Sequence, residues 1–496
     1  MSHMVGNSFF GSTSFNSDKI NAFPTTNMVL PAGAFGAVLF NPEDVTTNPY
    51  TQSHHVCAYS TLVHSTVNSE NNATWGNDNV FKIKANGDLV SSVVIVYLFK
   101  ALHAKVLSSG TTVGKFPVIS SPDCPFVNED NSAISGFGGM NLFLESIGAN
   151  PDSVGAGPNV TPCTPAADPF ATYTVYIGLF AAAVVELKSG DNVVDSFSGS
   201  SYLAMHELTG DVEARHHLAW GGATLPEAIE LSETDMHAYV KTQFTLTADL
   251  GSSLALCASL FTMTEMHIHT RTVDNVIIRS AENVEVEVKG APIKSENMDI
   301  GLDVMYIILD DDMRAMYQQT QYEVIVVRAV AQTAVKKAGG NDVHKNLNVK
   351  GFLLGLIVFC RREAVLNKNI YNHFEGVAAL PPVKTMQLVL DGQVYIFGEG
   401  SRFSKAHPAA LPECNIPEGS VYLLSFTPMF AHNNKANSDK KHMVVSGLNA
   451  NTVDDVALNI TFQESLVSET VQVTTVAQQL TFAQYKNSQL RLYTSS

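Results

Sequence analysis

Residues 301–328, GLDVMYIILDDDMRAMYQQTQYEVIVVR, constrain the chain more than any other stretch, because two runs of branched and aromatic residues flank an acidic turn. Leu302, Val304, Tyr306 and Ile308 recur with period two, and Tyr322 to Val327 form the second run. Side chains of these types fit a pleated, half-buried surface. Between them, Asp310 to Met316 has the capping residue and composition of one or two helical turns. The unit is strand, acidic turn, strand, and it reads as the opening of a second β-rich half. The same grammar recurs on both sides of it. All-β sandwiches use roughly 200 to 250 residues each, so a chain of 496 residues holds two.

Composition narrows the class of partner. Charged residues make up 16% of the chain and hydrophobic ones 45%, which favours sheet structure and surfaces covered by other protein surfaces. The formal charge of -17, with basic pairs such as Lys336-Lys337 and Arg361-Arg362 that do not grow into patches, argues against direct binding of nucleic acid. The six cysteines (Cys57, Cys124, Cys163, Cys257, Cys360 and Cys414) show no C-x-x-C spacing, and free thiols in a reducing compartment are expected. Apolar runs such as 176–185 and 351–360 are too short to cross a bilayer of roughly 30 Å as helices. MSHMVGNSFFGSTSF lacks the basic flank and apolar core of a signal peptide, so accumulation in the cytosol is expected.

Residues 1–35, rich in Asn, Ser, Phe and Gly, read as an N-terminal arm that orders against a partner. FKIKANGDLVSSVVIVYLFKAL, from Phe81, reads as a hairpin whose Asn86-Gly87-Asp88 turn requires positive φ at Gly87. Residues 107–171, rich in Pro and Gly, form one long excursion that is expected to fold over its own scaffold as a surface tower. Strands then resume. Val184 to Leu187 and Val193 to Phe197 flank a Ser189-Gly190-Asp191 turn, and a short helix is predicted over Tyr202 to Leu208. Gly351 to Arg361 is a buried-strand run followed by NKNIYNHF (367–374), and TMQLVLDGQVYIF (385–397) is a hairpin turning at Asp391-Gly392.

The form hydrophobic strand, L-D-x-D-x-R, hydrophobic strand at 302–327 resembles the start of the second jelly roll in major capsid proteins of nucleocytoplasmic large DNA viruses. N-G-D-L-V at 86–90 with its long following strand is similar to the third and fourth strands of the first jelly roll in that family. Strand, Gly-containing turn, Val194-Asp195 and short helix, then the 367–374, 385–397 and 417–426 pieces, follow in the family's order. Departures fall in NNKANSDKKHM and in the tail SQLRLYTSS.

The resemblance implies an all-β fold of two consecutive eight-stranded antiparallel jelly rolls with long loop insertions and short helices. The first roll is placed at 36–290, with 107–171 as a long outer loop, and the second at 291–496. It implies a structural capsid protein whose homotrimers form pseudo-hexagonal capsomers of an icosahedral shell. Expected partners are the chain itself, neighbouring capsomers, minor capsid proteins and an inner membrane layer, with assembly in the host cytoplasm. No catalytic residue, metal or cofactor is expected. The alternative is a metal-dependent bicupin-like enzyme or a carbohydrate-binding double sandwich.

That alternative rests on Glu265, His267 and His269, which alternate along a strand and so share one face, a real metal-ligand spacing. Phe261 stands where the cupin pattern expects glycine, and no fourth ligand follows. His206-Glu207 lacks a second histidine four residues on and reads as a helix surface pair. Asp310-Asp311-Asp312 reads as a helix cap rather than a Ca²⁺ site, since three consecutive carboxylates point in different directions. Gly398-Glu399-Gly400 and Gly138-Gly139 lack the flanking strand and helix of a phosphate cradle. The sequons at Asn72, Asn159 and Asn459 matter only where the chain meets a glycosylating enzyme.

Overall fold

The computed structural model describes residues 60–70, 73–106, 170–210, 219–242, 244–247, 253–280, 284–319, 321–374, 382–412, 414–417, 419–427, 430 and 447–493. The arm expected over 1–35 and almost all of the loop expected over 107–171 lie outside the described residues.

Sixteen of the described strands build two sandwiches. The first contains β1 (Ser60–Asn68), β2 (Asp78–Lys82), β3 (Leu89–Phe99), β4 (Ala182–Ser189), β5 (Asn192–Phe197), β6 (Met236–Lys241), β7 (Thr264–Thr270) and β8 (Met298–Leu309). The second contains β9 (Tyr322–Lys336), β10 (Asp342–Asn346), β11 (Phe352–Arg362), β12 (Val383–Leu390), β13 (Gln393–Glu399), β14 (Val421–Ser425), β15 (Val456–Phe462) and β16 (Val471–Lys486). In the first sandwich the sheets run β1-β8-β3-β6 and β2-β7-β4-β5; in the second they run β9-β16-β11-β14 and β10-β15-β12-β13. Adding eight to each label of the first gives the second. Two eight-stranded antiparallel jelly rolls of one topology are therefore present, as the sequence led one to expect.

Alternation places the core. In β3, Ile95, Tyr97 and Phe99 are buried between the sheets of the first roll while Val94, Val96 and Leu98 are half-buried on its outer face. β11 is buried along its whole length, because its two faces enter two cores. Leu356, Val358 and Cys360 join the second roll's own core, whereas Ile357 and Phe359 join a core that continues into the first roll. A strand with both faces covered has no polar alternation to show, which explains its uniformly apolar sequence.

Pairing changes two expectations. β8 pairs with β1 from Ser60↔Leu309 to Asn68↔Gly301, and with β3 from Met298↔Phe99 to Ile307↔Leu89. The strand of the 301–328 unit therefore completes the first sandwich, and the chain changes sandwich in the helix that follows. Period two reports which face of a strand is buried, not which neighbour it pairs with. The second change concerns Asn86-Gly87-Asp88. β2 and β3 lie in different sheets, so this turn crosses the sandwich and makes no hairpin. Gly87 does not have positive φ. Glycine is needed there for another reason: a Cβ would stand 2.7 Å from Cβ of Tyr306.

The two other turns are hairpins as expected. β4 pairs with β5 across Gly190 at φ 59°, and β12 with β13 across Asp391 and Gly392 at φ 50° and 77°. Two consecutive positive φ values are those of a primed two-residue turn, whose twist matches its strands.

Candidate functional site

The sequence motifs N-G-D-L-V and L-D-x-D-x-R meet in space. Asp88 is buried, and its carboxylate accepts from Arg314 Nε at 2.7 Å, from Arg314 Nη2 at 3.1 Å and from the Leu309 N–H at 2.8 Å. A fork-to-carboxylate contact of this kind fixes orientation as well as distance. Arg314 belongs to α2 (Asp311–Gln319), whose start is capped by Asp310: its Oδ1 accepts from the Met313 N–H at 2.8 Å. The acidic triplet is thus a cap and an ion-pair arm, because Asp311 also reaches Arg314 at 3.0 Å. The clasp ties the end of β8 to the start of β3 just where the chain leaves the first roll.

Glu265, His267 and His269 do share the outer face of β7, but the histidine ring nitrogens face carboxylates from neighbouring strands and, at Glu265, from β7 itself. His267 Nδ1 lies 2.8 Å from Asp78 and its Nε2 3.3 Å from Glu265; His269 lies 3.5 Å from Asp78 and 3.4 Å from Glu186. Lys188 holds Glu186 at 3.1 Å. This is a cross-strand ion-pair lattice, and among the described residues no group has the arrangement of a metal site. Burial raises the Glu186 carboxyl, but hydrogen bonds from Lys188 and His269 outweigh it and leave the group below its usual range.

His206 and Glu207 are not a surface pair. Both are half-buried in the helix Gly199–Thr209, here α1, and the His206 ring meets Trp220 edge to face at 5.1 Å. α1 is buried at nine positions rather than along one stripe, because it is wedged between the two rolls. Gly398 and Gly400 are packing glycines: a Cβ on Gly400 would meet the Val383 carbonyl oxygen at 2.0 Å. Asn459 sits within β15 and bonds His344, while Asn72, Asn159 and Gly138-Gly139 lie outside the described residues. Cys257 and Cys360 are buried and Cys414 is half-buried, and none of the three is in a disulfide; Cys57, Cys124 and Cys163 lie outside the described residues. Burial pushes the Cys257 thiol up to about 12, which suits an unreactive core residue.

The seam between the rolls is a further built polar feature. NKNIYNHF supplies much of it. Asn369, held at φ 58°, donates from Nδ2 to the Asp274 and Ile277 carbonyls at 2.7 Å each, and its own carbonyl accepts from Thr174 Oγ1 at 2.6 Å. The Tyr371 hydroxyl donates to the Asn275 carbonyl at 2.8 Å, and the Arg271 guanidinium stacks on the Tyr371 ring at 4.3 Å. Arg361 at the end of β11 donates to Ser200 Oγ in α1 at 2.6 Å and to Gln472 at 3.2 Å. Burial and the neighbouring Arg271 push Arg361 down to about 10. This network lies on the outer face of sheet β9-β16-β11-β14, so the first roll covers that face of the second.

Neither the protein-family models nor the curated proteins compared with the chain match its sequence. Its structure does find matches. It is similar to a chain of the PBCV-1 virus capsid, with TM-score 0.59, 14% identity, and 89% of this chain and 98% of that one covered. It is likewise similar to the Faustovirus major capsid protein, with TM-score 0.60, 10% identity, and coverage of 87% and 92%. The fold is the double jelly roll of viral major capsid proteins.

Within this double jelly roll, one seam residue carries a role that its sequence motif does not reveal. Asp195 is buried on β5, and its carboxylate accepts from the Ser196 N–H at 2.8 Å and the Thr245 N–H at 3.3 Å. Thr245 in turn donates from Oγ1 to the Val327 carbonyl of β9 at 2.9 Å, so Asp195 orders the hook that joins the rolls. Burial pushes the Asp195 carboxyl up to about 7, against its two backbone donors and the attraction of Arg328. A carboxylate in an apolar stretch such as VVDSF is the signal that could have found it.

Proposed function

We propose that this chain is the major capsid protein of a large icosahedral DNA virus and acts structurally rather than as a catalyst. The observation that carries the reading is the duplicated sandwich: two rolls of one topology, joined by a built seam, matching capsid chains over nearly their whole length. Two similar rolls per chain and threefold association give a six-part, nearly hexagonal block that tiles a curved shell. In this reading the homotrimer is the capsomer. Residues 107–171 form its outward crown, since the connections of a jelly roll gather at its ends and this excursion is long. The pairing of β8 supports a division in which the first roll runs to Leu309 and the second starts at Tyr322. Neighbouring capsomers, minor capsid proteins and an inner membrane layer are the remaining partners, and host cytoplasm is the place of assembly.

Electron microscopy of the purified protein tests this reading. Particles with a three-lobed, pseudo-hexagonal outline are expected, with interfaces of the obligate class, on the order of 2,000 Å² or more. Isolated two-lobed monomers at micromolar concentration contradict it.

A further inference from the structure

Two buried charged residues, Asp88 and Arg279, each face a partner of opposite sign: Asp88 meets Arg314 at 2.7 Å, and Arg279 lies 3.7 Å from Asp274. The two arginines of the seam do not. Arg361 is 7% exposed, and every acceptor it meets is neutral: Ser200 Oγ at 2.6 Å and the Tyr371 carbonyl at 3.4 Å from Nη1, and Gln472 Oε1 at 3.2 Å from Nη2. Arg271 lies against the same tyrosine, its guanidinium 4.3 Å from the centre of the Tyr371 ring. Among the described residues neither arginine forms an ion pair with a carboxylate.

Donors are left over at this place. Nε of Arg361 and Nε of Arg271 are both buried with no hydrogen-bond partner among the described residues. The Ser200 hydroxyl, which accepts from Arg361, keeps its own proton to donate. Ser200 is the second residue of α1, so it stands in the positive first turn of a helix of 11 residues, and that turn holds no acidic side chain. Burial lowers both guanidiniums, and Arg271 lowers Arg361 further; the opposing pull on each comes from Tyr371 and not from a carboxylate. Two cations gathered in a protein interior beside a helix N-terminus are unfavourable unless an anion neutralises them.

We propose that the seam holds one small tetrahedral oxyanion, of the phosphate or sulfate class, between Arg361 and Arg271, with the Ser200 hydroxyl as a third donor. Guanidinium groups suit such an ion because their planar fork of N–H groups matches its oxygens. Arg361 belongs to β11 in the second roll, whereas Ser200 and Arg271 belong to the first, so the bound ion fastens one roll to the other and stabilises the folded chain. Arg361 is closed off and Arg271 is half-buried, which sets the side from which the ion enters. The site lies within one chain and is independent of the capsid reading.

Thermal melting and calorimetric titration of the purified full-length protein test it, with sodium phosphate and sodium sulfate added separately and sodium chloride holding the ionic strength constant. The unaltered chain is expected to bind one oxyanion, and its melting temperature to rise and then saturate. Arg271→Gln and Arg361→Gln are each expected to bind at least about tenfold more weakly, since each loses a charged donor. Lys84→Gln, at an exposed position outside the seam, is expected to bind as the unaltered chain does. Should Arg361→Gln fail to fold, Arg271→Gln decides alone. An equal rise in the unaltered chain and in the seam variants means a general salt effect and an adventitious ion only, and overturns the proposal. Chloride acting as strongly as the oxyanions, loss of binding in Lys84→Gln, or no response in the unaltered chain overturns it too. Each of these failures leaves the capsid reading in place, because that reading concerns contacts between chains.

Discussion

Replacing Asp88 with alanine is expected to destabilise the folded chain by about 2–4 kcal/mol, a large effect for one turn residue. The Leu309 N–H is buried and donates to this carboxylate; with the carboxylate gone, it is left without that acceptor, which costs about 1–3 kcal/mol. The fork of Arg314 loses its anchor as well, and α2 its attachment to the first roll. Asp88→Asn keeps one acceptor oxygen and the shape, and is expected to lose about half as much. Urea denaturation of the two variants beside the unaltered protein measures both. A loss below about 0.5 kcal/mol for Asp88→Ala, within the range of ordinary surface changes, contradicts the role given to the clasp.

Asp195→Asn is expected to change how stability depends on pH. The folded-state carboxyl is raised from an ordinary 3.8 to about 7 by burial, so the folded chain keeps a proton that the unfolded chain releases between those values. Its favourable contribution is therefore complete below about pH 4 and is lost as pH rises through about 7. The full swing is on the order of 4 kcal/mol, at about 1.4 kcal/mol for each tenfold change in proton affinity. Asparagine stays neutral and keeps an oxygen to accept from Ser196 or Thr245. The difference in stability between variant and unaltered chain should then grow in favour of the variant from pH 4 to pH 8 and level off above. Melting curves at one-unit steps of pH check it, and a difference that does not vary with pH contradicts the buried, proton-holding role of Asp195.

Local chemistry was legible in the sequence wherever it decided structure alone. Asp391-Gly392 announced its turn because only a few residue types tolerate two positive φ values in succession, and Asp310 announced its cap because a carboxylate before a helix satisfies free N–H groups. Asn86-Gly87-Asp88 carries the same turn chemistry without forming the same turn. Its glycine is set by the approach of Tyr306, more than two hundred residues away, and its aspartate by Arg314, at similar distance. The strand at 298–309 is recognisable as a strand, yet its sequence points to the wrong roll for a related reason: alternation is local, whereas pairing with β1 and β3 is not. The histidines of β7 show the limit for chemistry. Spacing placed them on one face, but besides Glu265 of their own strand the carboxylates that face their nitrogens come from β2 and β4. The family resemblance succeeded where single motifs failed, because the order of many weak signals reflects the same topology twice over.

Static light scattering of the purified, full-length chain, with metal analysis of the same sample, separates a capsid trimer from a metal-dependent double sandwich. A mass three times that of the chain, stable on dilution to micromolar concentration, is expected, with no metal stoichiometric with chains. A stable monomer carrying one metal ion per chain would contradict it.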